Sequence, residues 1–314
     1  LTCKEGPTHI ILVGDEDSIG AELERHAHDA NRISVHHATG AVAMTDKPAD
    51  ALDANPDCSV LCAARLVADG QAQVLVSAGN TGAVILAASR TFSRIPGVRR
   101  VGLAAVYPTV ERHGPHDDPF ALMLDVGATL SCTADDLVAF AVMGGCYSRI
   151  ISDLERPRIG LLSNGTEPTK GTPAIIEAHQ RLRELPDVEF VGNVEGLDIP
   201  RGTVDVVVCE GFIGNIVLKM LEGVSDVARD LAKNAYGQKL RYKLALGMLS
   251  SGIKQIRTLT DWKQYGGAPI VGFDHAVIKA HGRSNARAVR NALKVASKTV
   301  ERRLSHTIRL GMEA

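Results

Sequence analysis

Val74-Leu75-Val76-Ser77-Ala78-Gly79-Asn80-Thr81-Gly82-Ala83 is the stretch that decides the fold. An apolar run with no alternation predicts a strand covered on both faces. A glycine turn follows it, and an apolar helix then runs to about Ser93. The same unit recurs on either side. Ile10-Ile11-Leu12-Val13-Gly14 reads as a strand before a helix rich in Glu, Arg and His up to Asn31, and Ile33 to His36 is the next strand. Further strands are expected over Gly102–Tyr107, Ala121–Val126, Ile159–Ser163, Glu189–Gly192 and Val204–Cys209, with helices near 134–150, 172–184, 213–235 and 285–304. Strands alternating with helices imply a largely parallel sheet between helix layers. The expectation is a three-layer α/β/α sandwich filling residues 1–314 as a single catalytic domain.

Residues 234–260 break the rhythm. Leu240, Leu244, Leu246, Met248, Leu249, Ile253 and Ile256 alternate there with Lys239, Arg241, Lys243, Lys254 and Arg257. Gly247 and Ser250-Ser251-Gly252 mark a bend. This predicts a protruding helical hairpin with an apolar and a basic face. It suits either packing against a second copy of the chain or shallow contact with an anionic membrane through 240–256.

With 35 basic against 36 acidic side chains, the 314-residue chain has no field that favours nucleic acid. The six cysteines are scattered, and only Cys58 and Cys62 are close, without a second pair to complete a zinc site. Reduced thiols and a cytoplasmic protein are expected. No signal peptide and no apolar run of about 20 residues occurs. The sequence opens on Leu1 without Met, so a segment ahead of it is expected.

Glycine-rich turns recur where the parallel strands end, which is where open α/β sheets hold ligands. They are Ser77 to Ala83, Asp125-Val126-Gly127-Ala128-Thr129, Ser163-Asn164-Gly165-Thr166-Glu167 with Lys170-Gly171-Thr172, and Glu210-Gly211-Phe212-Ile213-Gly214-Asn215. Glycine admits close backbone approach, and a helix starting there directs free N–H groups at an anion. Ser77, Gly79, Asn80, Thr81 and Gly82 are therefore candidate phosphate ligands. Lys170 supplies a mobile cation and Asn215 a neutral donor. Any one such turn is better explained as a capped strand-to-helix junction; four together, with Lys170 and Asn215 among them, point to an anion. Asp125, Gly127, Glu167, Gly211 and Gly214 fall on the same turns as further substrate-side candidates. Asp125 and Glu167 would either orient Lys170 or meet a magnesium ion, and no metal site is assigned. Dinucleotide, Walker A, nucleophile-elbow and H-E-x-x-H patterns are all missing, so no cofactor and no covalent nucleophile are expected.

Ser77 to Ala83, Leu124 to Ala128, Gly192-Asn193-Val194-Glu195-Gly196, Cys209 to Asn215, Gly266-Gly267-Ala268-Pro269 and His281-Gly282 keep the order and spacing of one family. The chain resembles the PlsX-type phosphate acyltransferases over nearly its whole length. The resemblance implies a fold like the isocitrate and isopropylmalate dehydrogenases and a homodimer. It further implies phosphorolysis of fatty acyl thioesters on acyl carrier protein, by inorganic phosphate, for phospholipid synthesis. The family's catalytic lysine and asparagine fall on Lys170 and Asn215, and His281 is a third candidate. The mechanism expected has amides of Gly79 to Gly82 on phosphate, Lys170 offsetting its charge and Asn215 on the thioester oxygen. The family's opening strand and D-A-M-G-G-D loop are missing ahead of Leu1. Its K-K-D-S-S-M motif is replaced by Asn55-Pro56-Asp57-Cys58-Ser59-Val60, and Glu210, Thr129 and Thr172 stand for its Asp, Asn and Asn. These differences keep an alternative in view, a divergent homologue that binds carrier protein or acyl chains without turnover.

Overall fold

The computed structural model describes residues 8–115, 118–238 and 267–314, and the chain divides into two compact units. The first comprises Leu1–Ala104 with Gly266–Ala314, the second Ala105–Tyr265. Chain order begins with β1 (Ile10–Gly14), α1 (Glu16–Arg25), β2 (Ile33–His37), α2 (Pro48–Ala54), α3 (Ser59–Ala68), β3 (Val74–Ser77) and α4 (Thr81–Thr91). The chain leaves the first unit along β4 (Gly102–His113). It then forms β5 (Asp118–Leu124), α5 (Ala134–Ile151), β6 (Arg158–Leu162), α6 (Pro173–Leu182), β7 (Glu189–Val194), α7 (Asp198–Arg201), β8 (Val206–Val208) and α8 (Gly211–Gln238). It returns for β9 (Ala268–Val271), β10 (Ala276–Lys279), α9 (Ala286–Glu301) and α10 (Leu304–Glu313).

In the first unit β1 and β2 form a parallel pair. β3 runs parallel to β10, which pairs antiparallel with β9. Side-chain alternation sorts this sheet into two faces. Leu75 and Val277 pack with Leu61, Ala64, Val84 and Ala88 of α3 and α4. Ile278, Val74 and Val76 pack with Ala292 and Ala296 of α9 on the other face. Helices on both faces make this unit three-layered.

The second unit orders its strands β4-β5-β8-β6-β7. The β5/β8, β8/β6 and β6/β7 pairs are all parallel, so their carboxyl ends share one edge. α5 lies close on the sheet because it carries glycine where it touches. A Cβ at Gly144 would stand 2.6 Å from Val206, and one at Gly145 3.2 Å from Ile159. The helix starts on a capping box, in which Thr133 and Asp136 satisfy each other's backbone N–H. The amino ends of β6 and β8 are fastened together. Asp205, 4% exposed, accepts from the Arg158 amide at 2.7 Å and from its guanidinium at 3.2 Å.

The mostly parallel α/β architecture is as the sequence predicts. The differences are local. β9 is antiparallel, β4 runs on to His113, α1 stops at Arg25, and α2 and α3 occupy residues where no helix was expected. α8 is continuous for 28 residues through Gln238, so residues 234–238 extend it rather than open a hairpin. The rest of the expected hairpin, 239–260, lies outside the described residues. Along α8, Ile213, Ile216, Met220, Val224, Val227 and Leu231 are exposed at helical three- and four-residue intervals, Met220 by 67%.

Candidate active site

The carboxyl edge of the second unit gathers three of the four turns, and the best-fastened of them is Asp125–Thr129. Asp125 follows β5 and is fully buried. Its Oδ1 accepts from the amides of Gly127 at 3.0 Å and Ala128 at 2.9 Å. Its Oδ2 accepts from the Thr129 amide at 2.8 Å and the Thr129 hydroxyl at 2.9 Å. That hydroxyl in turn accepts from the Gly211 amide at 2.9 Å, which ties this turn to the start of α8. The carboxylate thus organises backbone. The glycines of α8 answer to the same contact. A Cβ at Gly211 would lie 2.4 Å from Asp125 Oδ2, and one at Gly214 only 2.0 Å from the Asp125 carbonyl oxygen. Gly211 and Gly214 allow two backbones to touch.

Between β6 and α6 the chain makes the turn Ser163–Thr172. The Lys170 amide donates to the Glu167 carbonyl at 3.0 Å, and Asn193 donates from its side chain to the same carbonyl at 2.9 Å. Behind Asn193 stands buried His179, whose Nδ1 lies 3.0 Å from the Asn193 side-chain oxygen Oδ1. Gly165 is the pivot: a Cβ there would meet Lys170 Cγ at 2.8 Å and Glu167 Oε2 at 2.9 Å. Lys170 and Glu167 are exposed and form no ion pair with each other. The Lys170 ammonium has no acceptor among the described residues, nor do the amides of Asn164, Gly165 and Thr166. Thr172 caps α6, accepting from Ile175 N at 3.4 Å. A cation, unspent amides and a helix start on one turn suit a phosphate group.

Beside this turn opens a cavity of about 530 Å³. Ser163, Asn164, Gly171 and Thr172 form one rim, and Leu161, Leu162, Ile175, Val208, Ile213 and Val217 line it. Leu137, Ala174, Gly196, Cys132, Cys209 and the carboxylate residue Glu210 complete the lining. Burial pushes the Cys132 thiol up to about 11 and the Cys209 thiol higher still, so both stay neutral near pH 7 and neither is a nucleophile.

Asn215 is the fifth residue of α8, exposed, with no partner for its side-chain amide among the described residues. At 3.6 residues per turn it stands about 200° around the helix from Ile213. Ile213 and Val217 face the cavity, so Asn215 belongs to the opposite face. Lys170 and the cavity are therefore neighbours, and Asn215 shares their sheet edge without sharing the cavity.

The remaining candidates lie in the first unit. Ser77 Oγ accepts from the Gly79 amide at 3.2 Å. The Asn80 side chain accepts from Ala83 N at 3.2 Å as the cap of α4 and donates to the carbonyls of Ala43, Met44 and Asp46. Asn80 and the Gly79 amide are thus committed within the protein, while the amides of Thr81 and Gly82 have no acceptor among the described residues. His281 Nδ1 accepts from Arg283 N at 3.0 Å. A Cβ on Gly282 would lie 3.7 Å from the Ala78 carbonyl oxygen, so the His281 turn does meet the Ser77–Gly82 turn.

Sequence reasoning passed over two features. Lys279 lies on β10 in register with Ser77, is 6% exposed, and donates to the Ala280 carbonyl. Burial lowers it to about 8. Its signal was a lysine inside the apolar run Val277-Ile278-Lys279-Ala280. The cavity had no such signal, because its walls come from five separate elements and their flanking loops.

Comparison with known proteins places this geometry. The fold is that of the phosphotransacylases. A branched-chain phosphotransacylase from Enterococcus faecalis superposes with a TM-score of 0.53 at 16% identity, covering 95% of this chain and 92% of that one. EutD phosphotransacetylase from Staphylococcus aureus gives 0.55 at 14%, covering 93% and 86%. Sequence relatives are closer. A phosphate acyltransferase from Trichlorobacter lovleyi is 41% identical over 91% of this chain and 81% of its own length. One from Pelotomaculum thermopropionicum is 38% identical over 100% and 89%. The class is that of an acyltransferase enzyme. The chain belongs to the family described as fatty acid synthesis protein, which it matches over residues 2–307, and the resemblance carried by its motifs is borne out.

Proposed function

We propose that this enzyme transfers a fatty acyl group from a thioester on acyl carrier protein to inorganic phosphate, giving acyl phosphate for phospholipid synthesis. A phosphate oxygen attacks the carbonyl carbon, the tetrahedral oxyanion collapses, the C–S bond breaks and the thiolate takes a proton from solvent. The observation that carries the reading is the Ser163–Thr172 turn, where an exposed ammonium and three amides without an acceptor among the described residues stand beside a mostly apolar cavity. Positioning and charge stabilisation are enough for a nucleophile as competent as phosphate. Lys170 offsets the phosphate charge. Asn215, on the face of α8 turned away from the cavity, is a neutral donor on the same sheet edge for the phosphate or carrier-protein side of the reaction. In the first unit, taken by itself, the amides of Thr81 and Gly82 are a separate candidate anion seat, and the His281 turn lies beside the turn that carries them.

The acyltransferase family and the names of its members support the acyl and phosphate parts. The exposed apolar line along α8 supports a homodimer, since such a seam buries best against a second copy. Among the described residues no helix is long and apolar enough to cross a membrane. Peripheral contact through 240–256, in a cytoplasmic protein, fits delivery of acyl phosphate to a membrane-bound acceptor.

The test is direct. Pure protein with palmitoyl-carrier protein should release free carrier thiol only when phosphate is present, with acyl phosphate trapped by hydroxylamine. Phosphate-independent release, or none, overturns the reading.

A further inference from the structure

We infer that the apolar cavity between β6, β8, α6 and α8 is the seat of the acyl chain, and that Ala174 and Val217 in its wall set the chain length accepted. The inference rests on the acyl-transfer reading above and deepens it. At about 530 Å³ the cavity falls among ligand sites, which run about 300–1,000 Å³. Its walls are mostly aliphatic, the two thiols among them stay neutral, and the one charged lining residue is Glu210, just past the carboxyl end of β8. Polar groups stand at the rim, where Ser163, Asn164 and Thr172 adjoin Lys170. This is the polarity of a fatty acyl thioester: a long apolar tail, and a reactive head that must meet phosphate at the mouth. A nucleotide or sugar would meet too few donors inside.

Ala174 is partly exposed at the start of α6, and Val217 is partly exposed on α8, so both accept larger side chains without rebuilding a sealed core. Each methylene kept out of the cavity lowers kcat/KM about fourfold, and three about fifty-fold.

The experiment compares Ala174→Phe and Val217→Phe with the wild type on carrier-protein thioesters of four to eighteen carbons. Binding of a fluorescent polyene fatty acid is measured in parallel, and thermal unfolding checks the fold. The expected result is a fall of at least ten-fold in the ratio of sixteen-carbon to four-carbon kcat/KM in a folded variant, with matching loss of fatty-acid binding. An unchanged ratio in both variants overturns the inference while acyl transfer stands. Fatty-acid binding that both variants abolish, with no acyl phosphate formed by the wild type from any thioester, keeps the cavity and removes the acyl-transfer reading instead.

Discussion

Replacing Asp125 by Asn changes one atom and one charge, and its cost follows from the geometry. The carboxylate accepts from the amides of Gly127, Ala128 and Thr129 and from the Thr129 hydroxyl, all between 2.8 and 3.1 Å. It has no solvent access. An asparagine must point its NH2 at one of these sets. Turned toward Gly127 and Ala128, it leaves two amides facing a donor; turned toward Thr129, it opposes that amide and competes for the hydroxyl that receives Gly211 N. Each buried group left unsatisfied costs about 1–3 kcal/mol, and the remaining bonds lose their charge assistance. A loss of about 3–5 kcal/mol is expected, a large share of the 5–15 kcal/mol that holds an ordinary domain together. Urea denaturation at pH 7, followed by circular dichroism, reads it as a lower midpoint. A variant with the wild-type midpoint and no acyl phosphate formation would refute the reasoning and move Asp125 onto the substrate.

The other expectations are briefer. Lys170→Ala and Asn215→Ala should melt like the wild type, because both side chains are exposed, and lose about 10²–10³ in rate; wild-type turnover in either removes that residue from the mechanism. Gly214→Ala should lose stability by several times the few tenths of a kcal/mol typical of exposed sites, since its Cβ would sit 2.0 Å from the Asp125 carbonyl oxygen; an unaltered thermal midpoint would contradict the packing. Lys279 titrates at about 8 when folded against 10.5 ordinarily, so between those values the unfolded chain binds more protons and stability rises with pH. Lys279→Met should therefore stabilise the protein at pH 7 and lose that advantage above about pH 10.5; a gain that is flat with pH contradicts the buried charge. Val224→Lys places a charge in the seam of α8 and should lower the mass seen by sedimentation if two copies meet there.

Much of this molecule is readable from its letters because the same physics is repeated. Val74–Ser77, Ile159–Leu162 and Val206–Val208 are apolar without alternation, and only a strand between two helix layers makes sense of them. Ile10–Gly14 and Ile33–His37 belong to the parallel pair. The turns after the strands are equally plain, and the cation and the unspent amides of the Lys170 turn sit where strand ends predict them. Some elements escaped: the seven-residue α2 has too few residues to show a period, and α3, β9 and β10 were passed over although elements as short as β3 and β8 were read. Roles escaped more often than positions. Asp125 was visible as a carboxylate at a strand end, but sequence cannot show that it is spent on three amides, or that Gly211 and Gly214 serve that contact. Asn80 likewise has the composition of an anion ligand and spends its side chain on a cap and a loop. Lys279 hid because a lone lysine in a strand is usually read as an edge.

The Arg158–Asp205 clasp separates two jobs that share the same strands. With one end of β6 and β8 riveted, the opposite ends are free to carry loops of almost any chemistry, as a vice holds a tool whose tip can be exchanged. Loop grafts after Leu162 or Val208 should then alter what the enzyme accepts long before they loosen the sheet, whereas a change at Arg158 works in reverse order.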